Sequence, residues 1–479
     1  MPSKDRTPSP SLDSFPAWCS PSAGPSLNTN TKTKTKTKTP PPHICAKINA
    51  QVAANPALGR PDFDFANHVR SRAYTIQTFE FEDGGESAVL LDTGVERLLP
   101  PAFAPPYAPF RTGTGPGPGP GNGTFVIGDA GENGLGMFAA RDIPSGALIL
   151  AEHPLIVAPY LMGISVRLAD VYAELFRRLS PESRHDLMAL ANSRPVGECG
   201  ALEAVVRTNA LGIQLRVPDV EYPEIATHRA VFVNTSRCNH SCGPNARWEW
   251  DTHTFALYLS AVRPIMHGEE ITIQYIACTA PRDERRAALE ALYGFTCRCA
   301  YCTLSPDATE KSDAARVWLG EFWGSLPPFE AWCLERGTLT SPSTPSDEDR
   351  SENGEPEPEP EPETDPRIRA HLTALRLIKH EQLHVLDPER HVDEIAMCFG
   401  ALGDREMFRA WTRRVRDAKV GVVGVCSGGA GAEGEGAEWE GEGKGARGEV
   451  FRKWLERPES FPTWGWKVGF RDEREEEEE

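Results

Sequence analysis

Three cysteines lie close together in the second half of the chain, at Cys297, Cys299 and Cys302. This spacing supplies three thiolates from one short loop, and tetrahedral zinc is bound by four such ligands. A redox pair and an iron–sulfur ligand set are the alternative interpretations of the same cysteines. The pattern therefore predicts a metal site whose fourth ligand comes from elsewhere in the chain.

Composition limits the classes of partner. The 479-residue chain has 51 basic against 69 acidic residues, a net charge of −18, so direct nucleic-acid binding is not expected. No apolar run approaches the roughly 20 residues of a membrane span, and the polar N-terminus has no secretory signal. We therefore expect an intracellular monomer, in the nucleus or the cytoplasm, without membrane contact. Its 12 cysteines should be reduced there, which favours a metal site over disulfides.

Four segments, in order along the chain, resemble the motifs of SET-domain protein methyltransferases. Residues 239–245 read NHSCGPN, which is similar to the family signature NHSCxPN. Residues 133–139 (NGLGMFA) and 268–275 (GEEITIQY) resemble two further family motifs. Residues 293–302 (YGFTCRCAYC) resemble a post-SET zinc segment. A single motif is weak support, but four in the required order make the resemblance specific.

The resemblance implies an α+β fold: a β-rich SET core in which the signature segment is threaded as a pseudoknot, followed by the zinc segment. Between about residues 166 and 192 the apolar period changes, because Leu168, Val171, Leu175 and Leu179 repeat at helical spacing. We interpret this stretch as a helical insertion. The paired helical patterns after residue 367 are similar to the C-terminal region of the SET-and-MYND branch. The insertion contains no cysteine, so the MYND zinc module of that branch is absent.

The resemblance also implies an activity, the S-adenosylmethionine-dependent methylation of a lysine in a histone or non-histone protein. Asn239 would hydrogen-bond the amine of the cofactor, while His240 would offer mainly backbone contacts. Gly131 stands where the branch often has arginine, which puts one carboxylate contact in doubt. The positions that match cofactor-binding residues of the family are Asn133, Gly134, Gly136, Asn209, Ser236, Asn239, His240 and Phe295.

Two tyrosines match the catalytic positions of the family. The phenol of Tyr275 would face the transferring methyl group, and Tyr293 would be a second tyrosine of the lysine channel. Methyl transfer to an amine mainly needs alignment and an uncharged nucleophile, which a dry channel favours. Leu211 replaces a residue that is commonly phenylalanine beside this channel.

The signature also implies the missing metal ligand. Cys242 matches the fourth ligand of the family, which would complete a structural Zn²⁺ site with Cys297, Cys299 and Cys302. Cys238 and Cys278 are interpreted as packing residues.

Low-complexity segments predict the domain organisation. The expected regions are a mostly disordered N-terminal region (1–123), a SET plus post-SET domain (124–303), a helical extension (304–340), an acidic Pro-rich linker (341–366), a helical C-terminal region (367–419) and a Gly/Glu-rich acidic tail (420–479). The terminal regions are expected to be dispensable for cofactor binding. The alternative to an enzyme is a catalytically silent SET scaffold that binds a protein partner through its helical region.

Overall fold

Twelve β-strands in three sheets form the centre of the part of the chain that the computed structural model describes. That part comprises residues 74–92, 95–97, 99–100, 102–106, 123–160, 167–194, 197, 199–215, 227–334, 364–421 and 443–467. The strands are β1 (Tyr74–Glu80), β2 (Glu86–Asp92), β3 (Phe125–Asp129), β4 (Leu135–Ala139), β5 (Leu148–Glu152), β6 (Ile156–Pro159), β7 (Leu211–Gln214), β8 (Thr227–Val231), β9 (Asn239–His240), β10 (Ala246–Asp251), β11 (Ala256–Ala261) and β12 (Glu270–Ile273). Their orders are β1-β2-β6-β8-β7, β10-β11-β5 and β3-β4-β12-β9.

The five-stranded sheet is buried on both faces, which explains its continuous apolar runs. Successive residues of a strand point to opposite faces. In β2, Val89 and Leu91 accordingly enter the core between the sheets, whereas Ala88 and Leu90 pack against the insertion helices. In β6, Val157 faces the same core between the sheets. This sheet therefore joins the SET core to the helical insertion.

The predicted helical insertion is confirmed. The helices of the described residues are α1 (Leu168–Arg178), α2 (Pro181–Met188), α3 (Ala201–Asn209), α4 (Arg282–Tyr293), α5 (Pro306–Ser325), α6 (Phe329–Leu334), α7 (Pro366–His380), α8 (Pro388–Ala401), α9 (Arg405–Gly421) and α10 (Gly443–Glu456). Helix α2 begins directly after Ser180, because the Ser180 hydroxyl accepts the backbone N–H of Ser183 and Pro181 occupies the first helical position. Val171 and Leu175 of α1 are fully buried against the five-stranded sheet.

The C-terminal helices share a core with the cysteine loop. Leu319 and Phe322 of α5 and Ile378 of α7 belong to the same buried cluster as Cys242 and Cys302. A second cluster joins α6 to α10 through residues such as Trp332 and Trp454. The helical region therefore packs directly behind the signature segment.

The folded part of the chain extends into both regions that were expected to be terminal and mostly unstructured. Within the N-terminal region 1–123, β1 and β2 pair with each other and with β6. The last described residues, 443–467, also pack into the C-terminal core through Phe451 and Phe461, although they fall in the region expected to be a tail. Apolar side chains in both segments give them enough buried surface to be ordered. Most of the predicted linker at 341–366 lies outside the described residues.

Two strands, and not one, occupy the largely apolar stretch that begins at residue 147. Residues 153–155 separate β5 from β6, and the two strands belong to different sheets. Pro154 has no N–H to donate to a ladder, which accounts for the break.

Among the described helices, none has the length and apolar character needed to cross a bilayer.

Candidate functional site

A cavity of about 570 Å³ lies between several parts of the chain: the turn at residues 133–136 (the glycine turn), the end of α3, the signature segment and the end of α4. Nine of the ten residues that the resemblance assigns to cofactor binding or catalysis line it. Those nine are Asn133, Gly134, Asn209, Ser236, Asn239, His240, Tyr275, Tyr293 and Phe295. The remaining predicted residue, Gly136, lies just behind the wall. The fold thus brings together five segments, the outermost of which, at Asn133 and Phe295, are 162 residues apart in sequence.

Asn239 is held at the wall by backbone pairing and by its side chain. Strand β9 runs parallel to β12, with Asn239 opposite Thr272. The amide nitrogen of Asn239 donates to Glu270 Oε1 at 2.7 Å and lies 3.3 Å from the carbonyl oxygen of Leu135. The signature segment is therefore fixed to both β12 and the glycine turn.

Gly136 makes this approach possible, although it does not line the cavity. A Cβ at this position would lie 2.6 Å from Glu270 Oε1 and 3.1 Å from Asn239 Nδ2. Gly134 serves a different purpose, because its φ of 77° is in the region that favours glycine. The first glycine thus turns the chain, and the second admits the Asn239 side chain.

Asn209 and Ser236 also line the cavity and are joined to each other by a hydrogen bond. The Ser236 hydroxyl donates to the Asn209 carbonyl oxygen at 2.9 Å. The side-chain amide of Asn209 donates to the carbonyl oxygens of Ala191 and Val205, at 2.7 Å each. These bonds tie the end of α3 to the residues that precede the signature.

Three aromatic residues form one end of the cavity. The rings of Tyr275 and Tyr293 lie 4.9 Å apart, and Phe295 meets Tyr275 edge-on at 6.5 Å. Tyr275 follows β12 by two residues, and its hydroxyl donates to the Cys238 carbonyl oxygen at 2.6 Å. Burial raises the pKa of Tyr275 well above its usual range, so the phenol stays uncharged.

The ring of His240 connects two other parts of the site. Its Nδ1 accepts the backbone N–H of Tyr275 at 3.0 Å, and its Nε2 lies 3.4 Å from Cys242 Sγ. Burial lowers the pKa of His240 to about 4. The sequence indicated mainly backbone contacts for this residue, and the side-chain contacts are an addition to that prediction.

The predicted metal ligands come together. The sulfur atoms of Cys242, Cys297, Cys299 and Cys302 all lie within 4.8 Å of one another, and Cys242 Sγ is 3.6 Å from Cys302 Sγ. Tetrahedral zinc with bonds of about 2.3 Å to sulfur holds its ligands about 3.8 Å apart, so this set fits the ion. Cys238 and Cys278 are buried outside the set, as packing residues would be.

Sequence reasoning missed a buried arginine behind the metal cluster. Arg316 of α5 has no exposed surface, and its guanidinium donates to the carbonyl oxygens of Cys242 and Cys278 at 2.7 and 2.8 Å. It also pairs with the buried Glu381 carboxylate at 2.8 Å. In the sequence, Arg316 lies among apolar residues of a helical pattern, and this pattern could have indicated that its side chain is buried.

The sequence analysis also did not predict the basic side chains of the cavity wall. Arg194, Arg207, Arg229 and Arg237 line the cavity, while Glu132 is an acidic residue of the same lining. Glu132 pairs with Arg298 at 2.6 Å. Arg207 pairs with Glu203 at 3.4 Å, so the lining has more basic than acidic side chains but part of its positive charge is neutralised.

The comparisons with known proteins agree with this arrangement. The SET domain family matches residues 134–276. Histone-lysine N-methyltransferase set5 of Schizosaccharomyces pombe is 31% identical over 193 residues, which cover 40% of this chain and 54% of that protein. Protein-lysine N-trimethyltransferase SMYD5 of Gallus gallus is 32% identical over 155 residues, which cover 28% of this chain and 37% of that protein. The chain therefore spans about half, or less, of the length of these two curated relatives.

Among solved structures, the SET domain of LSMT bound to lysine and AdoHcy is 14% identical, with a TM-score of 0.23, and the match covers 64% of this chain and 78% of that chain. The assignment accordingly rests on the family match and the site residues. Residues 134–276 of this chain are therefore similar to the SET domain family.

Proposed function

We propose that this protein transfers methyl groups from S-adenosylmethionine to a lysine side chain of a protein substrate. The observation that carries the proposal is the cavity itself, because nine of the ten predicted cofactor and catalytic residues line it. The two relatives described above are named as lysine methyltransferases of histones and of proteins. They support a protein lysine as the acceptor.

The residues of the chain have distinct roles in this proposal. S-adenosylmethionine supplies an electrophilic methyl group on a sulfonium. The glycine turn and Asn239 hold the cofactor, since both present polar groups at the wall. The Tyr275 hydroxyl donates a hydrogen bond to the Cys238 carbonyl oxygen. The lone pairs of the phenol oxygen therefore remain available for weak C–H···O contacts with a polarised methyl group.

The aromatic end of the cavity serves the lysine. Tyr275 and Tyr293 exclude water from the amine, and a desolvated lysine loses its proton more readily.

The test is methylation by the full-length chain. The purified protein is incubated with labelled S-adenosylmethionine and a proteome lysate, and the modified residue is mapped by mass spectrometry. We expect label on lysine, and we expect Tyr275→Phe to lower the amount of label by about tenfold or more. Cofactor binding in a calorimetric titration without labelled product at any lysine would favour the silent scaffold. Absence of cofactor binding would overturn the assignment of the cavity.

A further inference from the structure

The thiol of Cys242 has a neighbour that is not a metal ligand. The imidazole of His240, which is 8% exposed, lies between Cys242 Sγ and the backbone nitrogen of Tyr275. Its Nε2 is 3.4 Å from the sulfur, and its Nδ1 is 3.0 Å from the nitrogen. Cys242 itself is fully buried. One ring therefore contacts both a residue of the metal cluster and a residue of the aromatic end of the cavity.

The backbone partner determines which nitrogen of the ring carries the proton. The peptide nitrogen of Tyr275 can only donate, so Nδ1 must present a lone pair. A neutral ring with an unprotonated Nδ1 has its hydrogen on Nε2. That hydrogen is directed at Cys242 Sγ, so the contact is an N–H···S hydrogen bond with the sulfur as acceptor.

We propose that His240 is a positioning residue that links the metal cluster to the backbone of Tyr275. The N–H of its Nε2 stabilises the negative charge that Cys242 must carry as a thiolate ligand and orients the sulfur toward the other three cysteines. Its Nδ1 holds the peptide of Tyr275 at the same time. The ligand set and the tyrosine are thus fixed through one side chain.

The backbone of the segment supports this linkage. Ser241 N donates to the Ile273 carbonyl oxygen at 3.1 Å, and Ile273 is the partner of His240 in the parallel strand pair. Strand pairing therefore holds the backbone of His240 beside β12, and the hydrogen bond from the Tyr275 N–H holds its ring.

Two variants of the full-length protein separate the two bonds of the ring. His240→Gln places an amide N–H near the position of Nε2, so it keeps a donor for the sulfur. His240→Asn places an amide oxygen near the position of Nδ1, so it keeps the acceptor for Tyr275 N–H and loses the donor. The probe is Zn²⁺ alone, released to a chromophoric chelator and measured as rate and affinity.

We expect His240→Asn to bind Zn²⁺ about 10- to 100-fold more weakly than the wild type, the usual effect of losing an outer-sphere partner. His240→Gln should stay close to the wild type. Equal affinity for zinc in both variants and the wild type would overturn the proposal. This readout does not depend on methyl transfer.

A second measurement needs no substitution. In wild-type protein labelled with ¹⁵N-histidine, the shifts of the ring nitrogens report the tautomer, and we expect His240 to carry its proton on Nε2 in the zinc-loaded state. A proton on Nδ1 would overturn the proposal even if neither variant folds.

Discussion

At the scale of single residues, the hydroxyl of Tyr275 is the group on which the proposed chemistry most depends. It is held by a 2.6 Å hydrogen bond to the Cys238 carbonyl oxygen, so its oxygen has a fixed position at the cavity wall. Groups fixed before the reaction cost no reorganisation when the transition state forms. Substitution by phenylalanine removes only this hydroxyl and keeps the ring, so its effect can be assigned to the oxygen atom.

We expect Tyr275→Phe to lower turnover by one or more powers of ten, at about 1.4 kcal/mol of lost transition-state stabilisation for each. Cofactor affinity should change little, because Asn239 and the glycine turn are unaltered. A single-turnover assay and a calorimetric titration of S-adenosylmethionine measure the two quantities.

The matched control is Tyr258→Phe. Tyr258 is 2% exposed, and its hydroxyl donates to Thr254 Oγ1 at 3.0 Å outside the cavity lining. This variant loses a buried hydroxyl of the same kind and should keep its turnover. Equal turnover in both variants and the wild type would refute the assignment of Tyr275.

At the scale of elements, helices α5 and α7 meet the signature segment through a buried ion pair. Arg316 and Glu381 are 0% and 1% exposed, and the hydroxyl of Ser312 donates to the same carboxylate oxygen that pairs with Arg316. The ring of Tyr301 lies 4.4 Å from the guanidinium, and the Tyr301 hydroxyl donates to the carbonyl oxygen of His380. This ion pair, with its neighbours, fastens the helical region to the backbone of Cys242.

Replacing one partner of this pair should be more harmful than replacing both. Arg316→Met leaves Glu381 buried without its cation, and such losses typically cost about 3 to 5 kcal/mol of unfolding free energy. The double variant with Glu381→Met removes both charges and should regain part of that loss. Urea denaturation of the wild type, both single variants and the double variant measures the coupling. Additive losses in the double variant would contradict the interpretation as one buried pair.

Helices α7 and α8 also carry a pair of buried histidines that predicts a pH dependence. Nδ1 of His371 lies 3.0 Å from Nδ1 of His391, and the two side chains are 0% and 2% exposed. Burial lowers the pKa of His371 to about 2 and that of His391 to about 4. Both values lie below the usual pKa of about 6.5, so the unfolded chain binds more protons at acid pH.

The contribution of this pair to stability is therefore complete above about pH 6.5 and is lost as the pH falls toward 4. Each histidine should lower the unfolding free energy by about 1.4 kcal/mol per pH unit in that window. Denaturation curves between pH 7 and 5 measure the slope. His391→Gln removes one titrating group and should reduce this slope by the contribution of one histidine, about 1.4 kcal/mol per pH unit. An unchanged slope in this variant would contradict the prediction.

At the scale of the whole molecule, the folded unit extends beyond the motifs on both sides. The side chains of Val89, Leu90 and Leu91 in β2 are at most 1% exposed, and they contribute to the cores on both faces of the five-stranded sheet. Full burial of a side chain of this size stabilises by about 1.5 to 3 kcal/mol, so the three together supply roughly 4.5 to 9 kcal/mol. Whole domains are stable by only about 5 to 15 kcal/mol.

A chain that begins at residue 124 should therefore fail to fold or to bind S-adenosylmethionine. This outcome would correct the expectation that the whole N-terminal region is dispensable. Circular-dichroism melting and calorimetric titration measure folding and binding. A chain that begins at residue 61 keeps β1 and β2 and is the control, since it loses only the Pro-, Ser- and Thr-rich segment. Normal binding by the chain from residue 124 would contradict the structural role of these strands.

Local sequence patterns were enough to predict the four clustered cysteines, most of the residues that line the cavity and the helical insertion. The short spacing of Cys297, Cys299 and Cys302 indicates a metal site without any knowledge of the fold. The motifs around Gly134 and Asn239 can be recognised because each is a contiguous stretch of sequence. The helical insertion was predicted for the same reason, since its apolar period is a property of one stretch of chain.

Which distant groups come into contact was visible in the three-dimensional structure and not in the sequence. Arg316 and Glu381 are 65 residues apart, and no local pattern indicates that a buried arginine will find that carboxylate. The proton on the His240 ring likewise follows from Tyr275, 35 residues away. The strands β1 and β2 contain ordinary apolar patches, and it is the pairing of β2 with β6 that joins them to the folded unit. Burial and hydrogen bonding depend on what lies opposite a residue, and a period of two or 3.6 residues specifies which face is apolar but not which partner covers it.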